Sequence, residues 1–272
     1  MTVYRAPLRD IGFLFEHVFD LAGICELPGF EHVDPGIVPG ILEEAARFME
    51  QVVAPTNTIG DSLGAVRHDD GSVTLPPEIR DAYAKHVAAG WNAVKGAAEY
   101  GGHQFPGLVA LAVQEMMTTA NMALSLNPML TASTILALEQ HGSEEQKAQY
   151  LEKLISGEWT GTMVLTEPQA GSDVGAITAR AEPGDDGAWL LTGNKIFITW
   201  GEHNVAENII HLVLARTPGA PPGTKGISLF LVPKFLPDAD GNPGERNTAV
   251  CGSIEKKMGI KGASTCVHCC CK

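Results

Sequence analysis

Two stretches of this sequence combine residue types that can do chemistry. The first is residues 166–173, TEPQAGSD, which follow the apolar run WTGTMVL. The run predicts a strand, Pro168 stops it, and Gly171 is free to take a left-handed backbone. Successive backbone N–H groups in such a turn can converge on an anion, with the Ser172 hydroxyl as a further donor. A pyrophosphate would suit that concavity. The plainer alternative is a polar turn between strands in which Asp173 caps its own loop.

The second stretch is residues 191–200, LTGNKIFITW. Gly193 and Asn194 signal a tight turn. The strand after it puts Phe197 and Thr199 on one face by period-two alternation. An aromatic ring and a hydroxyl sharing a face can pack against a planar heterocycle and hydrogen-bond to it. The alternative is that Phe197 is core and Thr199 an ordinary strand residue. On spacing alone the plainer reading wins at both stretches.

The remaining candidates are weaker. Glu167, Asp173, Glu202, Glu207 and Glu255 fall in β-type segments. None is singled out as a base, which must come within about 2.6–3.2 Å of the proton it removes. Cys266 and Cys269 with His268 form one clustered half-site, whereas zinc takes well-spread ligands, so no metal is expected. Met116, Met117, Met122 and Met129 fall in apolar helices and read as core filling before acyl-pocket lining.

Residues 36–157 must form the helical frame that positions these stretches. A short helix within residues 5–22, carrying Leu8, Ile11, Phe15, Val18 and Phe19, docks on it. Residues 36–54 form an amphipathic helix with Ile37, Ile41, Ala45, Phe48 and Val52 on one face, ended by Pro55. A loop or hairpin follows, then a helix over 77–89 opened by Pro76 and Pro77. Residues 106–140 predict two buried helices separated at Asn127 and Pro128. Ser143 and Gln146 fit a capping box ahead of a helix over 144–156. After Gly157 the pattern changes to short β-branched runs bounded by Gly, Pro, Asn and Asp. The fold class is therefore α+β: an all-helical domain, then a β-barrel-like domain, with the boundary near 157. The divisions are 1–35, 36–157, 158–265 and a Cys-rich tail at 266–272.

A formal charge of −13 and the lack of a basic stripe exclude a nucleic-acid partner. No segment is long and apolar enough for a membrane span, and Arg5, Arg9 and Asp10 interrupt any signal-peptide core. The chain is expected to be cytoplasmic, with its six cysteines free of disulfides.

TMVLTEPQAGSD followed by LTGNKIFIT closely resembles the acyl-CoA dehydrogenase family. HGSEEQKAQYLEKLISGEWTGT, TKGISLFLVPK and KKMGIKGAS resemble further segments of it, so the likeness covers nearly all of residues 36–265. The N-terminal extension and FITWGEHNVAENIIHLVLAR resemble a longer bacterial subgroup. The resemblance implies FAD as cofactor. Met163, Leu165, Thr166, Gly171 and Ser172 would contact it, with Thr166 hydrogen-bonding the ring system and Ser172 near both phosphates and thioester substrate. Phe197 would pack on the isoalloxazine, beside Ile198, and Thr199 would hydrogen-bond near its reactive nitrogen. It also implies α-proton removal by a carboxylate, transfer of the β-hydrogen to flavin, a trans-2-enoyl-CoA product, and electron transfer to an electron-transferring flavoprotein. The full-length form would be a homo-oligomer.

In that family the base is a glutamate of a C-terminal helical bundle, and no residue here matches it. No catalytic residue is therefore expected within this sequence. Residues 266–272 also depart from the pattern. Two readings stay open: a C-terminally truncated acyl-CoA dehydrogenase, or an inactive fragment or flavin/acyl-CoA-binding module. An acyl-CoA oxidase, using oxygen, fits length and motif order less well.

Overall fold

The computed structural model describes residues 3–185 and 187–270, excluding the side chains of Cys269 and Cys270. A helical region comes first. α1 (Leu8–His17) buries Ile11 and Phe15, and α2 (Leu21–Cys25) follows a break at Asp20, whose φ is +50°. The predicted single helix is therefore two, and Val18 and Phe19 are exposed.

Helical structure then runs through α3 (Val38–Phe48), a π turn (Met49–Val53) and α4 (Ala54–Leu63). Pro55 does not end it. The wider turn sends the Ala54 N–H to Met49 O, which carries the chain past the proline without a missing-donor gap. The buried face is also rotated by about one residue from the predicted one: Val38, Leu42, Ala45, Ala46, Met49 and Val53 are inside, while Ile37 is exposed. A small hairpin of β1 (Val66–Arg67) and β2 (Val73–Thr74) leads to α5 (Pro77–Ala88).

α6 (Gly107–Ala120) and α7 (Met122–His141) part at Asn121, not at Pro128, which lies inside α7. Asn121 has the extended conformation of an N-cap. Its side chain accepts from Leu124 N and donates to Thr56 Oγ1, so it terminates one helix and starts the next. α8 (Glu144–Ser156) opens with the expected capping box: Gln146 N donates to Ser143 Oγ, and Ser143 N to Gln146 Oε1. Gly157 closes it with φ +88°.

The sheet-rich region contains β3 (Trp159–Val164), β4 (Arg180–Pro183), β5 (Trp189–Thr199), β6 (Asn208–Ala215) and β7 (Ser228–Pro233). β8 (Phe235–Pro237), β9 (Pro243–Arg246), β10 (Ala249–Glu255) and β11 (Thr265–Cys270) complete it. One sheet has the order β10-β11-β5-β4, all antiparallel; another is β3-β6-β7, with β3 parallel to β6. They meet at one corner, where Ala181 N donates to Arg216 O and Arg216 N to Ala179 O. The α+β class holds, but the barrel-like expectation resolves into open sheets with no closed barrel. Of residues 266–272, expected to be an aberrant tail, 266–270 belong to β11, the strand between β10 and β5, and Cys266 and His268 are buried. The side chain of Cys269, and Cys271 itself, lie outside the described residues.

Two contacts lock the regions together. α7 lies on β3 so closely that a Cβ on Gly161 would sit 2.2 Å from Thr134 Oγ1. Trp200, just past β5, is 1% exposed within the main helical core, and its indole N–H donates to Ala123 O. Among the described residues no helix is long and apolar enough to cross a membrane.

Candidate functional site

The chain leaving β3 runs beside the second half of β5, tied at three points. Thr162 Oγ1 donates to Thr199 O at 2.6 Å, Ile196 N to Thr166 O at 2.9 Å, and Lys195 Nζ to Leu165 O at 3.0 Å. Met163, Leu165 and Thr166 are thus brought against Phe197, Ile198 and Thr199. Ile198 is buried; Met163, Leu165, Thr166 and Thr199 are partly exposed.

Phe197 does not follow the predicted alternation. The β5–β11 register slips between the Cys266–Ile198 and His268–Lys195 pairs, so two β5 residues oppose Val267 alone. Lys195 and Ile198, three apart, both point inward as a result. Phe197 sits in the slip with φ +57° and is 51% exposed. A left-handed phenylalanine costs about 1–2 kcal/mol, and its ring recovers little burial in return. Trp200 is also left-handed, φ +55°. Two such residues three apart mark a strained turn held by its surroundings. Gly193 and Asn194, expected to form a tight turn, are instead within β5; a Cβ on Gly193 would lie 2.7 Å from that of Ala179.

Residues 166–173 are fixed from below. Glu167 is 2% exposed. Its Oε1 accepts from Lys195 Nζ at 2.9 Å and Ala179 N at 3.0 Å; its Oε2 accepts from Thr178 N, Thr178 Oγ1 and Gln169 Nε2. Burial alone would raise its pKa, but Lys195 and the Thr178 and Ala179 amides outweigh it and bring the carboxyl down to about 2. Glu167 and Ala170 also exchange backbone hydrogen bonds across a tight loop. Beyond that loop Gly171, Ser172 and Asp173 are exposed, and among the described residues their N–H groups donate to no protein acceptor. Gly171 is not left-handed, contrary to the sequence expectation. No described hydrogen bond links Gly171 or Ser172 to residues 197–199. Residues 163–166 and 197–199 therefore form one patch, and the unpartnered donors of residues 171–173 a separate rim.

A second buried cluster was not legible from spacing. Glu202, 1% exposed, pairs with Lys234 at 2.5 Å and Arg246 at 2.9 Å. His203, His211 and His268 are buried around it, all with pKa values depressed first by burial. The one available signal was a charged or imidazole residue inside an otherwise apolar run, as at Lys195 and His211. Among the described residues no three His, Cys, Asp or Glu side chains gather as metal ligands.

The site thus combines a left-handed, half-exposed aromatic near two threonines with a loop whose backbone donors have no protein acceptor among the described residues. In fold the chain is similar to butyryl-CoA dehydrogenase from Megasphaera elsdenii, with a TM-score of 0.67 and 25% identity over 87% of this chain and 56% of that one. It is also similar to a chain in a structure of the electron transferring flavoprotein of Acidaminococcus fermentans, with a TM-score of 0.69 and 28% identity, covering 85% of this chain and 54% of that one. The acyl-CoA dehydrogenase N-terminal domain pattern matches residues 40–158, and the middle domain pattern matches residues 162–270. The chain belongs to the acyl-CoA dehydrogenase family.

Among curated relatives, 3-methylmercaptopropionyl-CoA dehydrogenase of Ruegeria pomeroyi is 46% identical over 97% of this chain and 45% of its own length. Broad-specificity linear acyl-CoA dehydrogenase FadE5 of Mycobacterium tuberculosis is 40% identical over 98% of this chain and 44% of its own length. The chain thus spans a little under half the length of these relatives.

Proposed function

We propose that this chain is the flavin-side part of an FAD-dependent dehydrogenase that converts an acyl-CoA thioester to the trans-2-enoyl-CoA. The observation that carries the reading is Phe197, a strained aromatic left half-exposed beside Thr166 and Thr199. Strain of that kind persists where a ligand uses the exposed group.

Phe197 packs on the flavin ring, with Met163 and Leu165 along its edge; the Ile198 side chain, buried in the core cluster with Val164 and Val213, supports the ring site from below and does not face it. The Thr166 and Thr199 hydroxyls hydrogen-bond to it. The N–H groups of residues 171–173 receive the pyrophosphate, and the Ser172 hydroxyl lies between phosphate and thioester. When bound, the cofactor supplies the two-electron oxidation that removes the β-hydrogen. The α-proton needs a carboxylate that is free to accept it. Glu167 and Glu202 are both committed to ion pairs. The family resemblance implies a base in a C-terminal helical bundle, and we assign proton abstraction there and not to Glu167 or Glu202. The electron acceptor is an electron-transferring flavoprotein and the full-length assembly a cytoplasmic homo-oligomer. By itself the chain acts as a binding module.

FAD fluorescence titration of the chain and of Phe197→Ala tests the cofactor half. Loss of stacking predicts about tenfold weaker binding in the variant, equivalent to about 1.4 kcal/mol. Equal binding by both, or none by the wild type, sinks the assignment. The chain alone is expected to yield no enoyl-CoA with a dye acceptor. Turnover at an ordinary dehydrogenase rate would place the base within these residues.

A further inference from the structure

His211 lies in the middle of β6, 4% exposed, with its ring between two backbone carbonyls. Nδ1 is 2.9 Å from Val232 O, on the facing strand, and Nε2 is 2.7 Å from Gly201 O. Carbonyls only accept. A neutral imidazole has one N–H and can satisfy one of the two; the other nitrogen then faces a lone pair. Burial keeps the ring below the ordinary histidine pKa, so near neutral pH a single proton must be assigned to one nitrogen.

The two carbonyls differ in what they hold. Val232 O belongs to a regular ladder. Gly201 O ends the turn that begins at Phe197, and that turn contains both left-handed residues, Phe197 and Trp200. Its other restraints come from separate elements: Trp200 N donates to Ser264 O, Trp200 Nε1 to Ala123 O, and Thr162 Oγ1 to Thr199 O. Thr162 is also the ladder partner of His211 from β3.

The charged and titratable neighbours confine the ring. Glu202, next in sequence to Gly201, is neutralised by Lys234 and Arg246. Lys234 also donates to His203 O, and His203 meets Thr160 Oγ1 at 3.0 Å. The His268 ring lies 5.1 Å from that of His211, and its Nε2 would be 2.5 Å from a Cβ on Gly201. A side chain at position 201 is therefore excluded, and the carbonyl of this glycine meets His211 Nε2 at 2.7 Å, with His268 also against the Gly201 backbone.

We propose that His211 carries its proton on Nε2 and acts as a positioning residue: through Gly201 O it fixes the left-handed turn that presents Phe197 and Thr199. The ligand consequence rests on the flavin reading above; the backbone consequence does not.

The test uses the full chain with His211→Gln and His211→Asn. A glutamine amide nitrogen reaches the place of Nε2, an asparagine amide that of Nδ1, so each variant keeps one of the two bonds. The measurements are FAD titration and amide hydrogen exchange over residues 196–202. Glutamine is expected within about twofold of wild type in both, and asparagine to be about tenfold weaker for FAD and about tenfold faster in exchange, the size of one lost buried hydrogen bond. Asparagine matching wild type, or glutamine as impaired as asparagine, overturns the proposal. If the wild type binds no FAD, the flavin reading falls and exchange alone decides. Nitrogen NMR of the wild-type imidazole needs no variant: a protonated Nε2 with a bare Nδ1 is expected, and the reverse tautomer refutes the assignment.

Discussion

The two buried carboxylates near the bulged strand are stabilised in different ways. Glu167 has one cation, Lys195, and fills its remaining acceptor capacity with amide, hydroxyl and carboxamide donors from residues 169–179. Glu202 has two cations, Lys234 and Arg246, and one backbone donor, His203 N. The first arrangement ties a loop to a strand through one charge pair. The second spreads its neutralisation over the β7–β8 junction and β9 and is redundant. In both, a carboxylate that sequence alone would leave as a possible base is occupied with holding backbone in place.

This contrast is broken most severely at Lys195. Lys195→Met leaves Glu167 buried without a counter-ion and is expected to cost about 3–5 kcal/mol in urea denaturation. Adding Glu167→Leu should return only part of that loss, since removing both charges lifts the desolvation penalty but leaves the Thr178 and Ala179 amides without their acceptor. A single variant within 1 kcal/mol of wild type (roughly the range for exposed pairs) would mean the pair is solvated and the loop is held otherwise.

Lys234→Met sharpens the comparison, because Arg246 remains to neutralise Glu202. The expected cost is about 1–3 kcal/mol, the range for a lost charge-assisted hydrogen bond. A loss as large as that of Lys195→Met would show that Arg246 does not substitute, and the redundancy argument would fail.

pH tests the Glu167 site by itself. The Glu167 carboxyl lies at about 2 in the fold, below its unfolded value. The unfolded chain therefore binds the proton first, so the stabilisation is complete above about pH 4.5 and is lost as pH falls toward 2. Urea midpoints should decline over that window with a slope of at most about 1.4 kcal/mol per pH unit from this group. Glu167→Gln should flatten that component. His86 adds a decline at higher pH: fully buried, its pKa is pulled down to about 4, so stability is lost as pH drops from about 6.5 through 4. The two windows are distinct, and a decline unaltered by Glu167→Gln below pH 4 (about the unfolded carboxyl range) would remove Glu167 from the account.

Local chemistry made much of the architecture legible. The capping box of α8, the Pro77 start of α5 and the change of period after Gly157 each have a cause within a few residues, and each is where expected. The misplaced boundaries have tertiary causes. Pro55 and Pro128 were read as breaks because proline lacks a donor; a π turn absorbs the first, and packing of α7 on β3 retains the second. Asn121 parts the helices because Thr56, 65 positions away, receives its amide. The site shows the same division. That the two motifs lie side by side agrees with the sequence reading, which took them as a pair. That Phe197 is left-handed was not, because the bulge is set by how β11 registers against β5. Nor could spacing pair Glu167 with Lys195 or gather Glu202, Lys234 and Arg246, since each joins residues from segments far apart in sequence.

The smallest expected effect on stability falls at the rim. Gly171 is not left-handed, and a Cβ there would meet nothing within 4 Å. Gly171→Ala should therefore change stability by no more than about 0.5 kcal/mol, as for a surface position without special constraint. The same methyl would stand beside the free N–H groups of residues 171–173, where the pyrophosphate is proposed to sit. FAD affinity should fall severalfold while the urea midpoint stays put. That dissociation distinguishes a ligand-holding rim from the plain polar turn that the spacing of residues 166–173 favours. If Gly171→Ala leaves FAD affinity unchanged while Phe197→Ala lowers it, the ring patch stands and the phosphate rim must be sought elsewhere on the chain.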